Sequence, residues 1–283
     1  MRGKLENSDM TERRSVKILQ CGHDKSGTYL LYRILSGILR QNNLYRSFLA
    51  SSGIGFIIDH LLCDNKRYPE VNEVDYIRQD NGAWGFNFAS PVCRHVPVDI
   101  DLVLHYSTLC YTHEKPEITA DLGDKFSHRV YILRDGRDVI NSLIHFLTDE
   151  ISLKLCPEYT IRVPRQLYNN LDYFKNLVQR WREHVLSYEK HKNDFFLLTF
   201  EDLLEDRERV LTGLGHYLGL SVNSVELADS TSFETMRKTA PQHLRKGIRG
   251  NWKSFFTDKH KEIFKQVAGD CLIRLGYESS NDW

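Results

Sequence analysis

The sequence predicts an α/β fold, a single domain in which a central, mainly parallel sheet is flanked by helices. Three observations predict it. Short apolar and β-branched runs recur at 16–21, 108–112, 129–133 and 195–200. Longer stretches with apolar residues at helical spacing alternate with them. Lys25, His113 and Arg134 each fall just past a predicted strand, where open parallel sheets bind their ligands.

The first strand, 16–21, runs into a loop, Gly22-His23-Asp24-Lys25-Ser26-Gly27-Thr28. A helix follows, carrying Tyr29, Leu30, Leu31, Ile34, Leu35, Ile38 and Leu39. Strand, small-residue loop and helix N-terminus together make an anion site, because the first helical N–H groups lack partners inside the helix. Lys25 adds a full positive charge, so phosphate or sulfate is the expected ligand. A tight turn with solvated polar residues would have the same composition. The loop is not a Walker A motif: Gly22 and Gly27 have its spacing, but Thr28 follows where a lysine is required.

Further along, 51–97 reads as short helices and loops covering the sheet, an unusual length without regular structure. Its aromatics Trp84, Phe86 and Phe88 belong either near a substrate pocket or to satellite core packing. Residues 101–105 and 108–112 read as strands, the second ending at His113. Arg129 to Leu133 reads as a buried strand, leading through Arg134-Asp135-Gly136-Arg137-Asp138 into a helix with Val139, Ile140, Leu143, Ile144 and Leu147. The span 165–190 reads as one long amphipathic helix. A strand at 195–200, a helix at 201–218 ended by Gly219, a polar loop at 223–250 and a helix at 258–275 ended by Gly276 complete the chain.

Lys+Arg and Asp+Glu both number 38, and hydrophobic residues make up 41% of 283. Zero net charge supplies no global field for nucleic acid or an anionic membrane, so any anion site must be built locally. No run reaches membrane-span length. Residues 1–14 read as a polar, flexible arm and 15–283 as the domain. The six cysteines, Cys21, Cys63, Cys93, Cys110, Cys156 and Cys271, form no CxxC pair. That pattern points to a reduced, cytoplasmic protein without a zinc site.

Two more segments could bind anions. Arg134 offers a planar fork of donors and Ser142 a hydroxyl, although Asp135 and Asp138 could instead pair with Arg134 and Arg137 as a solvated face. Arg245-Lys246-Gly247-Ile248-Arg249-Gly250-Asn251-Trp252-Lys253 places three cations within five positions, with glycines that allow close approach. Alone it would read as a surface loop. Taken together the three clusters point to a nucleotide with two separated phosphate-like groups.

From 16 to 277 the chain resembles the sulfotransferases that use 3′-phosphoadenosine 5′-phosphosulfate (PAPS), and so a P-loop-kinase-like sulfotransferase fold is expected. The family's PKSGTTW loop is matched by Lys25, Ser26, Gly27 and Thr28, with Asp24, Tyr29 and Leu30 in place of proline, threonine and tryptophan. Its YxxRDxRDxxxS motif is matched by Tyr131, Arg134, Asp135, Arg137, Asp138 and Ser142. Its Lys-Thr-His segment appears as Tyr111-Thr112-His113. Phe200 stands where a tyrosine often bonds the nucleotide. Thr231 and Phe233 stand in the Thr-Ser-Phe segment that holds the adenine, and Asn251 replaces the aspartate of the closing loop.

The resemblance implies sulfuryl transfer from PAPS to a hydroxyl or amine of a small molecule, with PAP as product and no metal. His113 would be the general base and Lys25 would stabilise the leaving phosphate. Nucleotide contacts are expected from Lys25, Ser26, Gly27, Thr28, Tyr29, Arg134, Ser142, Phe200, Thr231, Phe233, Arg245, Lys246 and Gly247. His23, beside the loop, could touch the acceptor. Loops at 51–97, 149–165 and 235–244 would shape the acceptor pocket. No nucleic acid or membrane partner is implied, and a homodimer is compatible. Two other readings stay open: a non-catalytic PAP-binding protein, favoured by Leu30, Tyr111, Phe200 and Asn251, and a small-molecule kinase, disfavoured by the absent Walker lysine.

Overall fold

A computed structural model describes residues 16–52, 74–87, 95–149, 153, 161–239 and 246–283. The expected arm at 1–14 and Phe88 lie outside them. Four parallel strands form the central sheet in the order β5-β1-β6-β7: β1 is Ile18–Cys21, β5 Leu109–Thr112, β6 His128–Leu133 and β7 Phe196–Thr199. Ile18 pairs with Leu109 on one side and His128 on the other, and Val130 pairs with Phe196. β1 is buried along its whole length, as a strand covered on both faces must be, and its one polar residue, Gln20, donates to the Thr28 carbonyl at 2.6 Å.

Strand alternation divides the core. Val130 and Ile132 join Ile18, Leu31, Leu35 and Leu214 on one side of the sheet. There lie helix α1, Thr28–Gln41, and the helix Arg207–Leu218. Tyr131 and Leu133 join Val139, Trp181, Val185 and Phe264 on the other side. That side is covered by the helices Gly136–Leu147, Leu171–His191 and Asp258–Arg274. Gly136 is required where its helix crosses Trp181, since a Cβ there would stand 2.5 Å from the indole ring.

Five expected elements differ. The helix expected at 201–218 is two, Phe200–Glu205 and Arg207–Leu218, parted at Asp206, which caps the second through the Arg209 N–H. Residues 101–105 are not a strand but part of a helix, Ile100–Tyr106. So short an apolar run has no decisive period, and Asp99 settles it by accepting a bond from the Asp101 N–H at 2.9 Å. The long helix is two, Pro164–Asn169 and Leu171–His191. Asn170 leaves helical geometry between them and caps the second through the Tyr173 N–H. The polar loop at 223–250 contains helices Ser224–Ser230 and Phe233–Thr239. Each buries little more than one apolar residue, Leu227 and Met236, so neither shows a stripe in sequence.

Within 51–97, β2 (Ile77–Asp80), β3 (Ala83–Asn87) and β4 (His95–Pro97) form an antiparallel sheet. A Tyr76–Tyr111 bridge joins it to β5. Asn81 and Gly82, both at positive φ, make its two-residue hairpin turn. Phe86 packs on Phe48 with centroids 5.4 Å apart, and Trp84 leans on the same cluster, so these aromatics are satellite core.

Trp181 is fully buried between two helices and the sheet. Trp181→Ala should cost roughly 3–5 kcal/mol of stability, seen as a large drop in the urea midpoint at unchanged slope. A loss below about 1 kcal/mol would contradict the packing described.

Candidate active site

Because all four strands run parallel, the segments after β1, β5, β6 and β7 emerge at one edge. Lys25, His113, Arg134 and Phe200 stand on them. In the loop after β1 the Ser26 N–H donates to the His23 carbonyl at 3.1 Å. Lys25 and Gly27 take φ of 66° and 97°. Gly27 has a second reason to lack a side chain, since a Cβ would come within 2.5 Å of the Phe200 ring. Helix α1 then starts with no side-chain cap, and its first backbone bond is Leu31 N–H to Gly27 O at 3.0 Å. Ser26 and Thr28 are buried. The Lys25 ammonium lies 4.1 Å above the Phe146 ring.

Arg134 joins this loop to the closing segment. Its guanidinium donates to the Lys25 carbonyl at 3.1 Å and to the Ile248 carbonyl at 3.2 Å, and it lies over the Phe200 ring at 4.2 Å. Asp138 fastens the same segment, accepting from the N–H groups of Gly250 (2.6 Å) and Trp252 (3.0 Å). Phe233, 37% exposed, packs against Gly247, where a Cβ would meet its ring at 2.6 Å. The Lys246 ammonium reaches Asn251 Oδ1 at 3.4 Å. Arg245 lies outside the described residues.

Arg137 does not share this surface. It is held inward by both Asp135 oxygens, by Glu278, and between the Trp252 and Trp283 rings. The adjacent arginines thus have opposite fates, Arg134 toward the loops and Arg137 into a buried ion pair. Ser142 sits half-buried on the helix after Arg134. Tyr29 and Thr231 lie elsewhere, on a cavity of about 710 Å³ behind α1, together with Arg33, Arg40 and Glu226. That cavity is lined by none of Lys25, His113 and Arg134.

His113 begins the segment after β5. Its Nδ1 is 2.7 Å from the Gly22 carbonyl, which can only accept, so Nδ1 carries a proton. Nε2 faces Asp24 Oδ1 at 3.0 Å and the Tyr111 hydroxyl at 2.5 Å. Tyr111 in turn donates to Thr28 Oγ1 at 3.2 Å. Burial pushes the His113 imidazole down, but the Asp24 carboxylate and the Gly22 carbonyl outweigh it and hold the imidazole above its ordinary value. Burial likewise raises Asp24, and the His113 and His23 rings overturn this, leaving it far below the carboxylate range. His23 is itself buried, bonded through Nδ1 to the Asp24 carbonyl and edge-on to His184 at 5.4 Å, so it does not open toward an acceptor. Burial depresses both His23 and His184.

Sequence reasoning gave Asp24 no role, and it named Asp138 only as a motif residue and a possible partner of the arginines, not as the anchor of the closing segment. Asp24 had one visible signal, a carboxylate where the resembled loop has proline. Of the segments expected to shape an acceptor pocket, 53–73, 88–94, 150–152, 154–160 and 240–244 lie outside the described residues. Among the described residues, no group of three or more His, Cys, Asp or Glu side chains is placed to hold a metal, and no helix is long and apolar enough to cross a membrane.

A sulfotransferase domain family model matches residues 16–276, nearly the whole chain. The chain belongs to the sulfotransferase domain family. Mouse sulfotransferase 1E1 is 29% identical over 195 residues, 59% of this chain and 64% of that protein. Bovine sulfotransferase 1A1 is 29% identical over 178 residues, 53% of this chain and 57% of that protein. The chain thus matches less than two thirds of the length of either relative. The fold is shared with mouse sulfotransferase SULT7A1 complexed with PAP, at TM-score 0.56 and 21% identity over 93% of this chain and 89% of that one. It is shared also with retinol dehydratase in complex with retinol and PAP, at TM-score 0.58 and 16% identity over 92% and 82%.

Within this sulfotransferase domain, Asp138 is the main fastening of the closing segment to the helix below it. Asp138→Ala would leave two N–H groups without their charged acceptor, at roughly 1.5–3 kcal/mol for each such bond. Hydrogen exchange at the Gly250 and Trp252 amides should then accelerate by at least about tenfold. Unchanged exchange there would show that the segment is held by other contacts.

Proposed function

We propose that the protein transfers a sulfuryl group from PAPS to a hydroxyl or amine of a small-molecule acceptor and releases PAP. The observation that carries this reading is the pair of bonds from Arg134 to the Lys25 and Ile248 carbonyls. They gather two glycine-bearing, cationic segments at the sheet edge where His113 also stands. The donor set fits a nucleotide with phosphates at two places. Lys25, Ser26, Gly27 and Thr28 form the helix-N-terminal cradle for one. Arg134 and Ser142, with Lys246 and Gly247, supply donors for the other, and the sequence adds Arg245 next to them in the chain. Phe233 and Phe200 offer aromatic faces, and Thr231 and Tyr29 lie behind α1. Both curated relatives described above are sulfotransferases, and both solved neighbours hold PAP.

Bound there, PAPS supplies the sulfuryl group. His113 takes the acceptor's proton as attack begins, a role histidine serves because its unperturbed pKa lies near neutrality. Lys25 and the N–H groups of the following loop stabilise the charge that grows on the departing phosphate. For this, the Lys25 ammonium leaves its position over the half-buried Phe146 ring, a contact of roughly 0.5–2 kcal/mol.

Cofactor choice tests the reading. A hydrogen bond to a charged group contributes roughly 1.5–3 kcal/mol, so a ligand without the 3′-phosphate should bind at least roughly 100-fold more weakly than PAP. Arg134→Ala should remove most of that difference. Calorimetry with PAP and adenosine 5′-phosphosulfate on both proteins supplies the four affinities, and equal binding to wild type would end the assignment. His113→Ala should keep PAP affinity and lose roughly 10²–10⁴-fold in turnover of labelled PAPS. Near-normal turnover would remove His113 from the chemistry.

A further inference from the structure

We infer that Asp24 is a positioning residue for His113, the carboxylate half of a dyad that sets the basicity of that imidazole and supports the charge it gains. The inference rests on the reading of His113 as the base. Its grounds are geometric. The Gly22 carbonyl fixes the Nδ1 proton and so points Nε2 at Asp24 Oδ1, 3.0 Å away. The backbone at Asp24 is itself pinned, its carbonyl accepting from His23 Nδ1 at 2.9 Å, and Lys25 at φ 66° turns the chain immediately afterwards. The carboxylate is 39% exposed and the imidazole 15%, so the pair lies at the mouth of the site with His113 the more enclosed member.

An acceptor-only carboxylate 3.0 Å from Nε2 favours the imidazolium, with protons on both nitrogens. During transfer the acceptor's O–H or N–H bond breaks and its electron pair forms the bond to sulfur. The old S–O bond breaks with its electrons leaving on PAP, and the proton ends on Nε2, beside Asp24 Oδ1. Tyr111 can follow either state, its oxygen accepting from Nε2–H or its hydroxyl donating to the bare nitrogen.

Other groups face His113 as well. Lys25 opposes its protonation, and His184 from the helix Leu171–His191 stands beside it, itself depressed by burial. His184 also donates through Nε2 to the His113 carbonyl at 3.3 Å. Tyr76, edge-on at 5.5 Å, and Tyr111 are neutral, with burial holding both phenols well above their ordinary values. Arg180 adds positive charge near His23 and Asp24. Asp24, with the Gly22 carbonyl, therefore overrides burial and the Lys25 charge, and it is Asp24 that acts at the nitrogen that must receive the proton.

The sign follows. The pair stabilises the fold above the ordinary carboxylate pKa, about 4, and that contribution is lost as pH rises through the raised His113 value. Activity runs the other way, rising with pH as His113 gives up its Nε2 proton. Ring NMR of His113 in the PAP-saturated protein should show a pKa above the usual value of about 6.5. In Asp24→Asn, which keeps the shape and removes the charge, it should fall by roughly one unit or more. The acid limb of the pH–rate profile for PAPS turnover, with an acceptor found by screening, should move down by the same amount. The plateau rate should drop while PAP affinity stays, and Asp24→Glu should restore part of the shift. A wild-type His113 titrating at or below 6.5, or the same value in both proteins, would overturn the dyad. A titration that moves while the pH–rate limb stays would overturn it through its premise, leaving a structural ion pair beside a His113 that is not the base.

Discussion

Arg134 bridges two loops that the chain's connectivity does not otherwise bring together. The loop after β1 and the segment around Ile248 are separated by more than two hundred residues, and each offers it a carbonyl. Each carbonyl directs its negative end at the guanidinium, so one side chain holds both loops. Arg137, three residues on, shows the alternative: two carboxylates and two indoles absorb its charge entirely. The sequence Arg-Asp-Gly-Arg-Asp therefore divides its work. Asp135 and Arg137 lock the helix start to the C-terminal residues, Asp138 holds the closing segment, and Arg134 joins that segment to the loop after β1.

The same economy of charge governs the other end of the site. His113 is enclosed by aromatic rings and by a depressed His184, surroundings that favour a neutral imidazole. One carboxylate reverses that preference. The position of this carboxylate comes from the loop after β1, and the position of His113 from β5. Their meeting depends on the parallel register of Cys21 with Thr112. Buried polar groups of this kind are effective only when their partners are fixed, and here the Gly22 and Asp24 carbonyls fix both rings.

Much of this could be read in the sequence because it is local. Apolar runs located β1, β5, β6 and β7, helical spacing located α1 and the helix after Arg134, and the glycines marked the loop between them. What the sequence hid follows from non-local or short-range physics. A single capping residue, Asp99, decided between helix and strand at 100–106. Asn170 broke one helix into two without interrupting the apolar stripe. Asn81-Gly82 was a legible hairpin signal inside a stretch expected to be irregular. The separate fates of Arg134 and Arg137, and the reach of Asp24 to His113, depend on contacts between distant segments and have no periodic signature.

The proposed sulfuryl transfer needs two anion-binding places at one edge of the sheet, joined through Arg134. Diffraction from crystals grown with PAP tests that directly. Its 5′-phosphate should lie on the segment Lys25 to Thr28 and its 3′-phosphate within reach of Arg134 and Ser142, with the segment around Ile248 folded over it. PAP found instead in the cavity behind α1 beside Arg33 and Arg40, or contacting neither Lys25 nor Arg134, would contradict the account.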